Sequence, residues 1–417
     1  MDKDVKERIE KINWGEIPEG YKRTKIGIIP KDWNCVQLKD IAEISSGSTP
    51  SRNNKSYWGG RIPWVTTSEI NYNEIQSTKE YITEEALNKC NLKLYEKGII
   101  LMAMYGQGKT RGKVAVLGIE ASINQACAAI IVKKENNIFV YQQLRSLYDR
   151  IRRVSNIGSQ ENLNANIIKG IMFTIPPLRE QQKIVDILEE YDNAISKIED
   201  LIQEKKKQKK WLVYSLLVEK KRLPGFSGIW KTEKMEKLFD ERVETNCENC
   251  ELLSITSSGI LPRTELESKD NSSDDKSKYK KIYAGDIGYN TMRMWQGVSA
   301  LSEYEGIVSP AYTILAPHSN IDAKFFSYLF KLPSSIFKFY RFSQGLVDDT
   351  RNLKYNNFKR ISLLYPEDLN EQKAIAEVLV TADKEIDLLE KKLALINQEK
   401  KAMMQLLFSG IVRVNGT

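Results

Sequence analysis

Histidine is nearly absent from this chain: among 417 residues, only His318 carries an imidazole. That excludes Ser-His-Asp triads and multi-histidine metal cages, and leaves little for histidine acid–base chemistry. Cysteine is sparse too. The five (Cys35, Cys90, Cys127, Cys247, Cys250) are scattered and odd in number, which predicts a reducing compartment rather than a disulfide scaffold. Cys247 and Cys250 have the spacing of half a zinc site, but no second cysteine pair exists to complete one, so no metal is expected. No apolar run approaches the ~20 residues of a membrane helix. The stretch Met1 to Trp14 is charge-rich and lacks the apolar centre of a signal peptide. A soluble cytoplasmic protein is predicted.

Catalytic signatures are missing as well. Thr174-Ile175-Pro176-Pro177-Leu178 has the prolines of a methyltransferase Asn/Asp-Pro-Pro-aromatic motif, but no amide or acid before them and no aromatic after. No nuclease or helicase signature stands out. Ala103-Met104-Tyr105-Gly106-Gln107-Gly108-Lys109-Thr110 nearly spells a phosphate-binding loop, with alanine for its first glycine. Such a loop must lead from a strand into a helix. Here Arg111-Gly112-Lys113-Val114-Ala115-Val116 reads as a second strand, so the segment is a hairpin with a basic tip. That tip is either a solvated turn or a loop suited to phosphate oxygens and base edges. Asp348-Asp349 reads as a solvated turn. These features predict a binding protein, not an enzyme.

What the chain does have is repetition. Glu180-Gln181-Gln182-Lys183-Ile184-Val185-Asp186-Ile187-Leu188 returns as Glu371-Gln372-Lys373-Ala374-Ile375-Ala376-Glu377-Val378-Leu379, an offset of 371 − 180 = 191. Each copy follows a proline (Pro177, Pro366) and opens a heptad seam. The first seam runs Ile184, Leu188, Tyr191, Ile195, Ile198, Ile202, then Lys205, Lys209, Leu212 and Leu216. The second runs Ile375, Leu379, Ala382, Ile386, Leu389, Leu393, Ile396, then Lys400, Met403 and Leu407. Alternating steps of four and three are the pattern of a coiled coil. Two matched seams predict helices that pack on each other, each about 55–60 Å long. The late lysines predict loose packing there, or room for another protein. The run Lys205-Lys206-Lys207-Gln208-Lys209-Lys210 is either a solvated face or a contact for DNA phosphates.

The length is too great for one core. The net charge of +8 and pI near 8.9 are compatible with a polyanion partner. Residues 30–177 and 225–366 carry short apolar runs between glycine turns, which predicts two α+β blocks. The repeat reaches into them. Gly98 to Gly112 lies over Gly285 to Gly297, and Leu163, Ile168-Lys169, Ile171 and Pro176 lie over Leu353, Phe358-Lys359, Ile361 and Pro366. The lead-in Lys22-Arg23 before Trp33 resembles Lys221-Arg222 before Trp230. Phe408-Ser409-Gly410-Ile411-Val412-Arg413-Val414 resembles the segment from Tyr214 onward, as if a third repeat were beginning. The order is cyclic, and antiparallel helices would give it an internal pseudo-twofold axis.

This constellation resembles the specificity subunit of bacterial and archaeal type I restriction–modification systems. The resemblance covers nearly the whole chain. It rests on Ile29-Pro30-Lys31-Asp32-Trp33, Gly47-Ser48-Thr49-Pro50-Ser51, Tyr57-Trp58 with Ile62-Pro63-Trp64-Val65-Thr66-Thr67, the segment Ala103 to Gly112, Ile123-Asn124-Gln125-Ala126 and Pro176-Pro177-Leu178-Arg179-Glu180-Gln181-Gln182-Lys183-Ile184. In the second half it rests on Pro224-Gly225-Phe226 with Trp230, and Asn370-Glu371-Gln372-Lys373-Ala374-Ile375. Pro366-Glu367-Asp368 departs from the first copy's Pro-Pro-Leu, so contacts inferred for one block do not transfer to the other.

The resemblance implies an N-terminal segment (1–28), a target recognition domain (29–177), a central spacer helix (178–222), a second recognition domain (223–366) and a C-terminal spacer helix (367–417). Each recognition domain would read half of a bipartite double-stranded DNA target. The antiparallel helices would set the spacer and dock two methylation subunits, with restriction subunits joining the full assembly. Cofactors would belong to the partners: S-adenosylmethionine to the methylation subunit, ATP and magnesium to the restriction subunit. The alternative is a coiled-coil interaction scaffold with no nucleic-acid role. The expected DNA contacts are polar loop or strand-end positions near the repeated frame. They are Thr66, Thr67, Ser68, Gln107, Lys109, Thr110 and Arg111 in the first block, and Asn290, Arg293, Gln296, Arg341, Gln344 and Arg351 in the second.

Overall fold

The structure is a computed structural model, which describes residues 3–106, 108–153, 162–247, 250–256, 259–266 and 275–414. It divides into two compact units, residues 1–198 with 392–417, and residues 199–391. Two forty-residue helices, Leu178–Leu217 and Leu369–Phe408, each contribute to both units.

The first unit is built on a five-stranded sheet in the order Ala42–Ser46, Cys127–Val132, Ile100–Ala103, Val114–Leu117, Glu74–Ile75. Its three central strands are continuously apolar because both faces are covered. Ile100 and Met102 join one core, while the alternate residues Leu101 and Ala103 join another. Ile100–Ala103 pairs antiparallel with Val114–Leu117, so the segment after Ala103 returns as a strand. It is the hairpin expected from the sequence, not a phosphate-binding loop.

The second unit repeats the sheet with four antiparallel strands in the order Phe239–Arg242, Tyr312–Pro317, Ile287–Asn290, Ser299–Leu301. Its core is aromatic. Phe326 meets Phe239 at 5.3 Å and Tyr365 at 5.4 Å between ring centroids, and Phe330 meets Phe339 at 5.5 Å.

Each long helix begins in the same way. Pro177 and Pro366 precede the helices, and Gln181 and Gln372 each donate back to a proline carbonyl, Pro176 and Pro366, at 2.9 Å. The other end of each amide accepts the backbone N–H of a residue that caps a domain helix. These are Asn136 before Asn137–Ser146 and Asp322 before Ala323–Leu329. Ile184, Val185 and Leu188 then pack with Leu407 and Phe408 in the first unit. Ile375, Ala376 and Leu379 pack with Leu216 and Leu217 in the second. Burying each large aliphatic side chain contributes roughly 1.5–3 kcal/mol.

Within each unit the paired stretches run antiparallel. In the second, Lys205 meets Glu385 and Lys209 meets Asp383; in the first, Glu180 meets Arg413 and Asp192 meets Lys400. The late lysines are paired, while Lys205 and Lys209 also line a cavity between the helices with Leu212 and Ala382. Lys205, Lys209 and Lys400 each find a carboxylate on the facing helix. The periodicity showed where the seam is interrupted but not which acid lies opposite.

Cys247 and Cys250 stand side by side, 5.6 Å apart at Cα. Cys35, Cys90 and Cys127 are free. No helix among the described residues is long and apolar enough to cross a membrane.

Candidate nucleic-acid interface

In the first unit, strand Trp58–Val65 ends in a single turn, Thr67–Glu69. Thr66 caps it: its hydroxyl donates to Glu69 Oε2 at 2.6 Å and lies 2.8 Å from Ser68 Oγ. Glu69 in turn accepts the Thr66 N–H at 2.9 Å. This capping box fixes the turn and leaves Thr66 and Thr67 half-buried and Ser68 exposed. The chain leaving the turn is tied to the hairpin, because Tyr72 N–H donates to the Val114 carbonyl at 2.9 Å and Lys113 Nζ to Asn71 Oδ1 at 2.6 Å.

At the hairpin tip, Lys109 is exposed and Thr110 half-buried. Tyr148 holds the Lys109 carbonyl at 2.6 Å, and Arg152 holds the Arg111 carbonyl at 3.1 Å. Arg111 corrects the sequence reading. Its side chain is 5% exposed, so in this arrangement it does not reach outward as a base reader must. Gln107 lies outside the described residues.

In the second unit the six expected contacts come together. Asn290 ends its strand and accepts the Met292 N–H at 2.9 Å. Arg293 and Gln296 are exposed on the turn that follows. That turn packs on the helix Pro333–Phe342, where Trp295 meets Tyr340 at 6.2 Å. Gly297 closes the turn with φ +82°, and a Cβ there would stand 2.8 Å from Ile336 Cδ1. The positive φ favours glycine, and Ile336 would have to shift for any larger residue. Arg341 is exposed in the last turn of that helix. Gln344 and Asn352 then exchange backbone hydrogen bonds of 2.8 and 2.7 Å, closing a loop. Arg351 is engaged within it: Nε donates to Asp348 at 2.8 Å and Nη2 to the Tyr340 hydroxyl at 2.9 Å. Leu353 N–H bonds the Thr291 carbonyl at 2.8 Å, joining loop and turn. The patch offers exposed guanidinium and amide donors, the groups that meet base edges and phosphates. At its tip is an apolar point that the sequence reading missed, Leu346, 99% exposed.

Sequence reasoning also missed a matched clamp. Glu180, 3% exposed, accepts Arg413 Nε at 2.9 Å and Nη2 at 3.1 Å, and the Trp33 indole N–H at 2.9 Å. Glu371, 1% exposed, accepts Arg222 Nε at 3.0 Å and Nη2 at 2.5 Å, with the Trp230 indole at 3.4 Å. The signal was present, since 413 − 222 is again 191. The sequence alignment had set Arg222 opposite Arg23. The structure makes Arg413 its counterpart, and Arg23 instead donates to the Gly15 carbonyl at 2.7 Å. His318 bridges the Lys237 carbonyl and Asp240, each at 3.0 Å.

Comparison with known proteins bears on these paired sites. The model of the family described as type I restriction modification DNA specificity domain matches residues 30–209 and again 254–398. The MjaIX specificity subunit of Methanocaldococcus jannaschii, a type I restriction enzyme subunit, is 34% identical, over 45% of this chain and 43% of that one. The chain thus aligns with less than half of that relative's length. The putative MjaX specificity subunit of the same organism is 23% identical over 95% of this chain and 97% of that one. Among solved structures, the S subunit of a type I restriction–modification system from M. genitalium aligns with a TM-score of 0.57 at 14% identity, covering 90% of this chain and 96% of that one. A chain from a study of type I R-M complex assembly and conformational transition aligns with a TM-score of 0.59 at 16% identity, covering 92% and 99%. The structures share the fold, and the double family match covers well over half of the sequence: the chain belongs to the type I restriction–modification DNA specificity family.

Proposed function

We propose that this chain is the DNA-reading subunit of a cytoplasmic type I restriction–modification enzyme and is not itself catalytic. Residues 29–177 and 223–366 act as recognition domains, each reading half of a bipartite target. The helices within 178–222 and 367–417 set the spacer and dock two methylation subunits, with restriction subunits completing the assembly. S-adenosylmethionine, ATP and magnesium belong to those partners. The carrying observation is the double family match, which falls on each of the two units. Lys109 and Thr110 in one copy, and Arg293, Gln296 and Arg341 in the other, are placed on solvent-facing turns or helix ends.

The partner's chemistry gives this division of labour a physical reason. Adenine N6 is out of reach inside a stacked duplex, so the base must be extracted while another subunit holds the helix. Co-expression with the methylation subunits, followed by genome-wide mapping of methylated adenine, tests the proposal. One bipartite motif with a fixed gap is expected. Absence of any bipartite motif, together with no salt-sensitive DNA binding by the complex, favours the scaffold reading instead.

A further inference from the structure

Each unit sets one lysine on one aspartate inside the helix seam. Lys400 Nζ lies 2.5 Å from Asp192 Oδ1, and Lys209 pairs with Asp383. The two pairs are repeats of each other, since 383 − 192 and 400 − 209 both equal 191. Lys400 is only 3% exposed. In each unit the globular domain adds a third element. Gln142 Nε2 donates to Asp192 at 2.9 Å and Arg145 Nη1 at 3.1 Å; the Tyr328 hydroxyl donates to Asp383 at 2.6 Å. Each node therefore joins a domain, the helix that follows it and the facing helix.

The neighbours of these aspartates give the node its discriminating power. One turn to either side of Asp192 stand Leu188 and Ile195, and one turn to either side of Asp383 stand Leu379 and Ile386. A facing helix displaced by one turn toward Leu188 or Ile195 would set the buried Lys400 ammonium against an aliphatic side chain, which is unfavourable; Lys209, more exposed, is held less strictly. A single polar residue in an apolar seam fixes register in this way, at some cost in stability.

We infer that the Asp192–Lys400 and Asp383–Lys209 nodes hold the helix pair in one register, and thereby hold the two DNA half-sites at one gap. They are specificity determinants that touch no base. The inference rests on the DNA-reading function proposed above. One helical turn is about 5.4 Å, and one base pair about 3.4 Å, so a slipped register moves the gap by one or two base pairs.

The test uses the full-length K209M/K400M chain, co-expressed with its methylation subunits and scored by sequencing of methylated adenine. Methionine keeps an unbranched apolar stem, while Asp192 keeps Arg145 and Asp383 keeps Tyr328. Both half-site sequences should persist, and sites with gaps one or two base pairs off should gain methylation, with discrimination against them falling roughly tenfold. K209R/K400R, which retains the charges, should keep the single gap. A single unmoved gap in K209M/K400M overturns the inference, whether methylation there is full or weakened, because weakening alone marks a merely structural pair. If the double variant does not accumulate, K400M alone gives the same readout. A wild-type complex that methylates no bipartite site defeats the function reading itself, and that outcome is distinct from an unmoved gap.

Discussion

The two units share a scaffold and differ in their filling. The first packs aliphatic residues such as Ile100, Ile130, Leu144 and Leu188 around its sheet, while the second packs Phe325, Phe326, Phe330, Phe339 and Phe358 in the corresponding place. Yet the glutamate clamp, the glutamine bridge and the Asp–Lys node recur at each helix. The difference teaches where the constraint lies. A core accepts any well-packed apolar set of the right volume. A carboxylate buried between an arginine and an indole accepts almost nothing else, because every donor needs its acceptor.

The comparison can be broken most sharply at the clamps. Glu180→Ala and Glu371→Ala each remove the buried acceptor of an arginine and an indole, although Arg413 keeps Asp32 and Arg222 keeps the Gly228 carbonyl, so a loss of roughly 2–3 kcal/mol is expected. Chemical denaturation should show similar losses for both if the clamps are equivalent. Unequal losses would show that only one unit depends on its clamp. Next come the seam anchors: Leu188→Ala and Leu379→Ala, both fully buried, should each cost about 2–5 kcal/mol. There the units are expected to differ, because an aromatic and an aliphatic surround collapse differently around a cavity. A smaller effect sharpens the division of reading. Arg293→Ala should cost about 1–3 kcal/mol of binding and relax one position of one half-site, whereas Lys109→Ala should act on the other half-site alone. Uniform loss across sequences would identify either residue as a phosphate anchor.

A last comparison concerns pH dependence. Burial pushes the Lys400 ammonium down to about 8, with nearby Arg145 adding to the shift and Asp192 opposing it. Burial would raise the Asp192 carboxyl, but Arg145, Lys400 and Gln142 hold it below its ordinary value. For Lys400 the folded value lies below the ordinary 10.5. Between about 8 and 10.5 the unfolded chain therefore binds the extra proton, and stability rises with pH. Wild type should gain on K400M as pH is raised through that window, measured by denaturant unfolding. A constant difference would mean that Lys400 titrates as it does in the unfolded chain.

Much of this architecture could be read from residue order. The seams, the prolines before the helices, the cyclic repeat and the hairpin after Ala103 follow from spacing and turn chemistry, which are local. What stayed hidden was pairing across the fold. Lys400 looked like a flaw in a seam because nothing local places Asp192 beside it. Arg222 was matched with Arg23 because both precede a tryptophan, although its structural counterpart stands 191 residues downstream, at Arg413. Arg111 was expected at the surface because loop arginines usually are, yet it is buried. Leu346 was overlooked because apolar residues are expected inside.

Tyr21 donates to the Gly410 carbonyl at 2.7 Å, and Thr174 to that of Phe408 at 2.6 Å. The first unit thus includes residues that the ribosome adds only after the whole of 199–391. The second unit is one unbroken stretch and can close as it emerges. During synthesis the half of the protein begun first is the half finished last, with its clamp at Glu180 waiting for Arg413.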